Sequence, residues 1–314
     1  VLSGGVGGVK LVEGLCEIVD PSRVAIVCNT GDDLELWGLH ISPDVDTVLY
    51  TLSGLVNRET GWGVDSESFQ ALEMMERLGE PTWFLLGDRD LALHIHRTRR
   101  LREGAGLTEI TAEVAAGLGI QAQVIPVSDD RLRTVVSTPD GDLDFQTYFV
   151  RRRFEPPVEA VRFEGADAAL PSPAAIAAVL SAETVVIAPS NPIASIGPML
   201  ALRAFRAALA ETPATRIAVS PLIGGEAVKG PTAPMLEAAG LPLSPIGIAR
   251  AYAGLVDAIV IDREDVSFRA ELEAVHGLRV LVTDTLMEGF EGRLRLAAEV
   301  LDFRAALTVV RREG

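Results

Sequence analysis

Six aspartates in three short segments carry most of the chemistry visible in this chain: Asp32 and Asp33 in NTGDD, Asp44 and Asp46 in SPDVDT, and Asp88 and Asp90 in LGDRD. Clustered hard oxygen ligands suit Mg²⁺, which takes few protein carboxylates and keeps room for phosphate oxygens and water. Acidic pairs in loops also serve as solvated caps, and Asp44 could cap a helix beginning near Thr47. Asp32 and Asp33 stand apart because they follow directly on a buried apolar run. A second feature is GGVGG, Gly4 to Gly8, with Lys10 just beyond. Glycines between a strand and a helix let backbone N–H groups approach a phosphate at the helix N-terminus. The spacing is not that of a nucleoside-triphosphate loop, which needs lysine and a hydroxyl residue directly after the last glycine. Two further loops are candidates: APSNPIASIGPML, with Ser190, Asn191 and Ser195, and SPLIGGEAVKGP, with Gly224, Gly225 and Lys229. Their small polar residues suit phosphate or ribose, and equally suit capping and surface turns.

The remaining polar candidates are weaker. His94 and His96 are two apart on a helical pattern and so lie on different faces, a poor metal pair. Arg97, Arg99, Arg100 and Arg102 read mainly as a solvated basic face, with a phosphate clamp as the alternative. His40 and His276 are isolated and read as structural. No Ser/His/Asp or Cys/His arrangement and no GxSxG is present, which disfavours hydrolysis through a covalent nucleophile.

The elements that must hold these loops follow from periodicity. VLS, RVAIVCN, AQVIPVS, TVVIAPSN, RIAVSPLIGG, AIVIDRED and LRVLVTDT are apolar runs of strand length ending in polar or glycine loops, mostly alternating with helical patterns. The first strand is short, as though residues before Val1 are missing. RTVVST and LDFQTYFV flank an Asp140-Gly141 turn and predict a hairpin. The expected fold is α/β: a Rossmann-like, three-layer, doubly wound, mainly parallel sheet. Residues 42–119 are helical in pattern, with WFLL at 83–86 the one candidate strand, and predict a helical insertion after the second strand. The Rossmann-like domain is then 1–41 and 120–314. Ligands in such sheets bind outside the carboxyl ends of the strands.

With 314 residues, a formal charge of −16 and 44 acidic against 28 basic side chains, the surface repels nucleic acid. A phosphorylated ligand must be held by backbone N–H groups, a few cations or a metal bridge. The two cysteines, Cys16 and Cys28, form no disulfide framework and predict a reducing cytoplasm. The uncharged stretch 184–202 has spanning length, but its three prolines and its polar groups predict strand, loop and helix, not a membrane segment.

In order along the chain, SGGVGGVKL, NTGDDLELWGLHISPDVDTVLYTL, GWG, LGDRDLALHIHRT, PVSDDR, FQTYFV, APSNPIASIGPML and SPLIGGEAVKGP resemble the CofD/FbiA family, the 2-phospho-L-lactate transferases of coenzyme F420 biosynthesis. The resemblance covers almost the whole chain. It implies attack by the terminal ribityl hydroxyl of the deazaflavin Fo on the acid-bearing phosphorus of a guanosine diphosphate derivative, with release of GMP. The transferred acid is 2-phospho-L-lactate, phosphoenolpyruvate or phosphoglycerate. Mg²⁺ dependence and a homodimer are implied as well. Combined with the loops above, it leads us to expect Gly4, Gly5, Gly7, Gly8, Lys10, Asn29, Ser190, Asn191, Gly224, Gly225 and Lys229 around the guanosine diphosphate. Asp32 and Asp33 are expected to hold Mg²⁺ or align the hydroxyl. Asp46 is expected to act with them and, with Asp44, to contact Fo. Trp62, Leu85 and Asp88 are expected near the deazaflavin, under cover of the helical insertion. Leu85 departs from some archaeal relatives, which have lysine there, so only apolar or backbone contact is available.

Two rival readings share the glycine-loop start. A nucleotide-sugar-binding regulator of the same fold would lack the SPDVDT and LGDRD pair. An NAD-dependent dehydrogenase would need a third fingerprint glycine where Lys10 stands and an acid at the end of strand two, where Asn29 stands.

Overall fold

Short β-branched runs such as AIVC, TVVI and AIVID are apolar on both faces, so they are stable only with helices covering each side of a sheet. The computed structural model, which describes the backbone of residues 1–228 and 230–313 and side chains as far as Leu307, has that arrangement. Seven parallel strands form the central sheet: β1 (Leu2–Ser3), β2 (Ala25–Cys28), β3 (Gln123–Pro126), β4 (Thr184–Ile187), β5 (Thr215–Val219), β6 (Ala258–Asp262) and β7 (Arg279–Thr283). Their spatial order is β7-β6-β5-β4-β1-β2-β3. Register is continuous across the centre, Leu2 standing beside Val27 on one side and Ile187 on the other. The order reverses between β1 and β4, which opens a crevice at their carboxyl ends.

Alternation along the strands builds two cores. Val185, Ile187, Ala218, Ile259 and Ile261 face one layer of helices, including α6 (Pro173–Ser181) and α7 (Arg203–Glu211). Val186, Ile217, Val219, Ala258 and Val260 face α1 (Gly5–Ile18) and α8 (Gly289–Glu313). The last two helices touch at Gly14, where a Cβ would lie 2.3 Å from the Arg293 carbonyl oxygen. Buried Glu13 is paired there with both Arg58 and Arg293. The three-layer α/β expectation is met.

The helical stretch 42–119 contains α2 (Pro43–Leu52), α3 (Gln70–Arg77), α4 (Asp88–Arg102) and α5 (Leu107–Gly117). It does not behave as one body. Val45, Val48, Leu49 and Ala115, from α2 and α5, join Ile26, Cys28 and Val124 in a core against the sheet. What stands outside that layer is α3, α4 and their loops.

Several local expectations fail for identifiable reasons. Residues 83–86 form no strand: Leu86 is buried with Leu34, Leu36 and Ile41, and Trp83 and Phe84 pack edge to face. The segment beyond Asp140 pairs only over Gly141–Asp144, then tightens into a π-helical turn at Thr147–Arg151, where Phe145 stacks on Phe149. A small antiparallel hairpin, Leu34–Leu36 with Leu39–Ile41, turns at Trp37 and Gly38, both at positive φ. Tryptophan at positive φ is not a turn signal, so nothing in the sequence announced it.

Candidate functional site

β1 runs straight into α1 through Gly4, and β2 runs into Asn29, Thr30, Gly31, Asp32 and Asp33; both exits open on the switch-point crevice. A third loop, 188–196, leaves β4 beside them. The glycines exist here first for close approach. A Cβ on Gly4 would meet Ser195 Cβ at 2.7 Å and Asp44 Oδ2 at 2.8 Å, one on Gly7 the Pro189 carbonyl at 2.7 Å, and one on Gly8 Ser190 Oγ at 2.4 Å and Ser3 Oγ at 2.6 Å. Gly5 has φ +66°, where side chains are strained.

Two of the loop's N–H groups are engaged by the protein itself. Gly4 N donates to Ser190 Oγ (3.2 Å) and Gly5 N to Asp44 Oδ1 (2.6 Å). By helix geometry, the first-turn N–H groups left to meet a ligand are those of Val6 and Gly7. Asp44 thus lies in the first turn of α2 and reaches across to the N-terminus of α1, where an anion is normally bound. Its other oxygen accepts from Asn29 Nδ2 (3.0 Å), and Asn29 Oδ1 in turn accepts from Gly31 N (2.8 Å).

Burial, partly offset by the Asn29 amide and the Gly5 N–H, pushes the Asp44 carboxyl up to about 6. Asp32, also buried, is raised well above the ordinary carboxylate range by desolvation and then by the Asp44 charge, against the opposing Asn29 amide. Asp33 accepts on Oδ2 from Ser42 Oγ (2.7 Å), with His40 Nε2 2.9 Å from the same oxygen. Ser3 Oγ, Thr30 Oγ1, Asp32 Oδ1, Asp33 Oδ1 and Thr134 Oγ1 are all buried without a hydrogen-bond partner at this end of the sheet. Buried polar atoms are normally satisfied by protein, water or ligand, so this concentration makes the end of the sheet the candidate site.

The other expected residues divide. Trp62 is 44% exposed, and its neighbour Gly61 is so close to the first turn of α1 that a Cβ would lie 2.7 Å from Val6 Cγ1. Trp62 thus follows directly on a backbone position that lies beside the first turn of α1. Lys10 shares a small crevice with Val6, Arg58 and Gly61. Leu85 is exposed. Asp46 is held by a buried bidentate pair with Arg97 of α4, next to His94. Asp90 accepts from Tyr50 and faces His94 Nε2 at 3.2 Å. The basic stretch 97–102 is therefore not a single solvated face: Arg97 is buried, and Arg100 is spread over Glu103, Glu109 and Glu113. Asp88 caps α3 from a distance, accepting from Ser68 Oγ (2.6 Å), Ala71 N (2.9 Å) and Gln70 N (3.1 Å). Ser66 and Ser68, the hydroxyl residues just before α3, do not cap it directly.

Asn191 shapes its own loop, its Oδ1 accepting from Ile193 N (2.9 Å) and Ala194 N (3.1 Å). Gly224 and Gly225 form a hairpin turn, both at positive φ, and Gly225 N donates to Asp265 Oδ1 (3.1 Å). That turn is tied to the segment after β6. Lys229 lies outside the described residues.

His40 and Ser42 were not singled out as site residues by the sequence, yet both touch Asp33. The available signal was their place in LHISPDVDT, His40 on a strand too short to register in the pattern and Ser42 directly before α2.

A doubly wound sheet with a glycine turn and three carboxylates at its switch point defines an α/β protein whose candidate ligand site lies at the carboxyl ends of its central strands. The comparison with known proteins narrows this: the chain belongs to the family described as 2-phospho-L-lactate transferase CofD, whose pattern it matches over residues 1–286. It is 43% identical to the 2-phospho-L-lactate transferase of Methanopyrus kandleri, over 96% of each chain. It is 37% identical to the phosphoenolpyruvate transferase of Streptomyces griseus, again over 96% of each. In fold it is similar to a crystal structure of a protein from Bacillus halodurans, with TM-score 0.64, 16% identity, and coverage of 96% and 98% of the two chains. A second structure, described as a UPF0052-family member from the same organism, gives TM-score 0.61.

Proposed function

We propose that the chain transfers a phospho-carboxylic-acid group, 2-phospho-L-lactate or phosphoenolpyruvate, from a guanosine diphosphate derivative to the terminal ribityl hydroxyl of Fo. The new bond joins that hydroxyl oxygen to the acid-bearing phosphorus. The bond to the bridging oxygen breaks, and GMP leaves with the electron pair. The hydroxyl proton passes to solvent or to a carboxylate of the cluster.

The observation that carries this reading is the group of unpartnered polar atoms around Asp32 and Asp33, set against the glycine turn. Phosphoryl transfer needs positioning and charge neutralisation more than covalent help from the protein. The N-terminus of α1 already accommodates a carboxylate, Asp44, so a diphosphate approaching it needs compensating positive charge. The unpartnered carboxylate oxygens fit a hard divalent cation shared with the ligand's phosphates. Among the described residues no group of three or more His, Cys, Asp or Glu could hold an ion alone. Mg²⁺ takes one or two carboxylates and completes its shell with phosphate oxygens and water. Asp32 and Asp33 would hold it, and bound Mg²⁺ supplies neutralisation of the diphosphate charge. The first turn of α1, with Ser190 supporting Gly4, positions the diphosphate. Trp62 would offer an aromatic wall for the deazaflavin ring. The resemblance adds a homodimer, the two cysteines fit a reducing cytoplasm, and no described helix is long and apolar enough to cross a membrane.

The test is a mass-spectrometric assay with Fo, Mg²⁺ and the lactyl, enolpyruvyl and glyceryl guanylated donors in competition. An Fo–phospho-acid and GMP are expected, and the product mass names the acid. No product with any donor, together with tight UDP-sugar binding, would replace the transferase by a binding regulator.

A further inference from the structure

Asp33 is held unevenly. One of its oxygens, Oδ2, is gripped twice, by the Ser42 hydroxyl at 2.7 Å and the His40 ring at 2.9 Å, while Oδ1 is buried with no partner. A carboxylate only accepts, so the His40 Nε2 facing it must carry hydrogen; the geometry fixes the tautomer. Ser42 Oγ lies 3.2 Å from the same ring nitrogen, which closes a three-membered cluster.

His40 is itself placed by α4. Its backbone N–H donates to Thr98 Oγ1 (2.8 Å), and its carbonyl lies 3.5 Å from the Arg97 guanidinium. Arg97 is locked to Asp46 on α2. A chain of contacts therefore runs from α2 and α4 through the Leu39–Ile41 strand to one oxygen of Asp33.

We infer that His40, with Ser42, is a positioning residue: it pins Oδ2 of Asp33 so that Oδ1 alone is presented to a divalent cation bound with the diphosphate. This rests on the reading of Asp33 given under Proposed function. Hydrogen bonds to a ligating carboxylate fix its orientation, and their loss typically costs 10–100-fold in metal affinity. A freed carboxylate could rotate and chelate or swing away, and the two-oxygen asymmetry would be lost.

The experiment compares wild type, His40→Leu, His40→Gln and Ser42→Ala for Mn²⁺ binding in the presence of guanosine diphosphate, read by electron paramagnetic resonance. Thermal midpoints and Fo-dependent turnover are measured alongside. His40→Leu is expected to weaken Mn²⁺ about 10–100-fold, with the KM for Fo little changed. His40→Gln, which restores an N–H donor, should recover most of the affinity; Ser42→Ala should fall between. If His40→Leu is folded and binds Mn²⁺ as wild type does, the inference is wrong. If His40→Leu fails to fold, normal Mn²⁺ binding by Ser42→Ala, which removes the other donor to Oδ2, overturns it equally. Should wild type itself bind no Mn²⁺ with guanosine diphosphate, the underlying reading of Asp33 fails, and this inference with it.

Discussion

Asp44→Asn changes one oxygen to an amide nitrogen and separates two costs that the acid cluster combines. In the wild type, Asp44 accepts from Gly5 N on one oxygen and from Asn29 Nδ2 on the other. Asn29 cannot simply flip, because its own oxygen accepts from Gly31 N. An asparagine that keeps the Gly5 bond therefore sets an NH₂ against an NH₂, a loss of about 1–3 kcal/mol. On the other side stands the buried charge. A carboxyl raised from 3.8 to about 6 is shifted by a little over two units, about 3 kcal/mol at neutral pH. The native state holds this proton more tightly than the unfolded chain, so the contribution is fully present below pH 3.8 and is lost as pH rises through about 6. At pH 7.5 the variant's two effects nearly cancel. At pH 4.5 the wild-type carboxyl is protonated and only the frustrated amide pair remains. Urea unfolding of both proteins in chelator, from pH 4.5 to 7.5, should show the wild type gaining about 2 kcal/mol over the variant as pH falls. Because the Asp44 charge also raises Asp32, the step belongs to the pair and is broad. A stability difference flat to within about 0.5 kcal/mol over that range would refute the reasoning, that being the ordinary scatter of surface changes.

Other outcomes follow from the same geometry. Gly8→Ala drives a Cβ into Ser190 Oγ and Ser3 Oγ and should cost about 1–3 kcal/mol, with a raised KM for the guanylated donor; thermal melts and steady-state kinetics check both. Arg97→Met strands the buried Asp46 carboxylate and should destabilise by about 3–5 kcal/mol in denaturant, with much of it recovered in the Arg97→Met/Asp46→Leu double variant. Trp62→Ala should raise the KM for Fo about 10-fold, as loss of about 1–3 kcal/mol of ring stacking would, while the donor KM stays put.

The central sheet was legible because parallel strands buried on both faces write themselves as continuous apolar runs. The position of the candidate site was legible where residue type and topology coincide: Gly4 to Gly8 after β1, and Asp32 and Asp33 after β2. It was not legible where a carboxylate's partner comes from elsewhere in the fold. Asp44, Asp46 and Asp88 look alike in sequence, yet one reaches the α1 N-terminus, one is bound to Arg97 and one caps α3. Arg97 could have been separated from its neighbours, since Asp90, His94 and Arg97 recur at helical spacing on one face of α4. The Trp37-Gly38 hairpin, and with it the placement of His40, could not: its turn depends on tertiary packing of Trp37, whose indole donates to the Pro81 carbonyl (3.1 Å).

The central claim is that the aspartates after β2 carry the transfer. The single-turnover rate of Asp33→Asn with Fo and a guanylated donor at saturating Mg²⁺ tests it most directly. A fall of at least ~100-fold with the fold intact is expected for loss of a metal or alignment group. A rate equal to wild type would remove Asp33 from the mechanism.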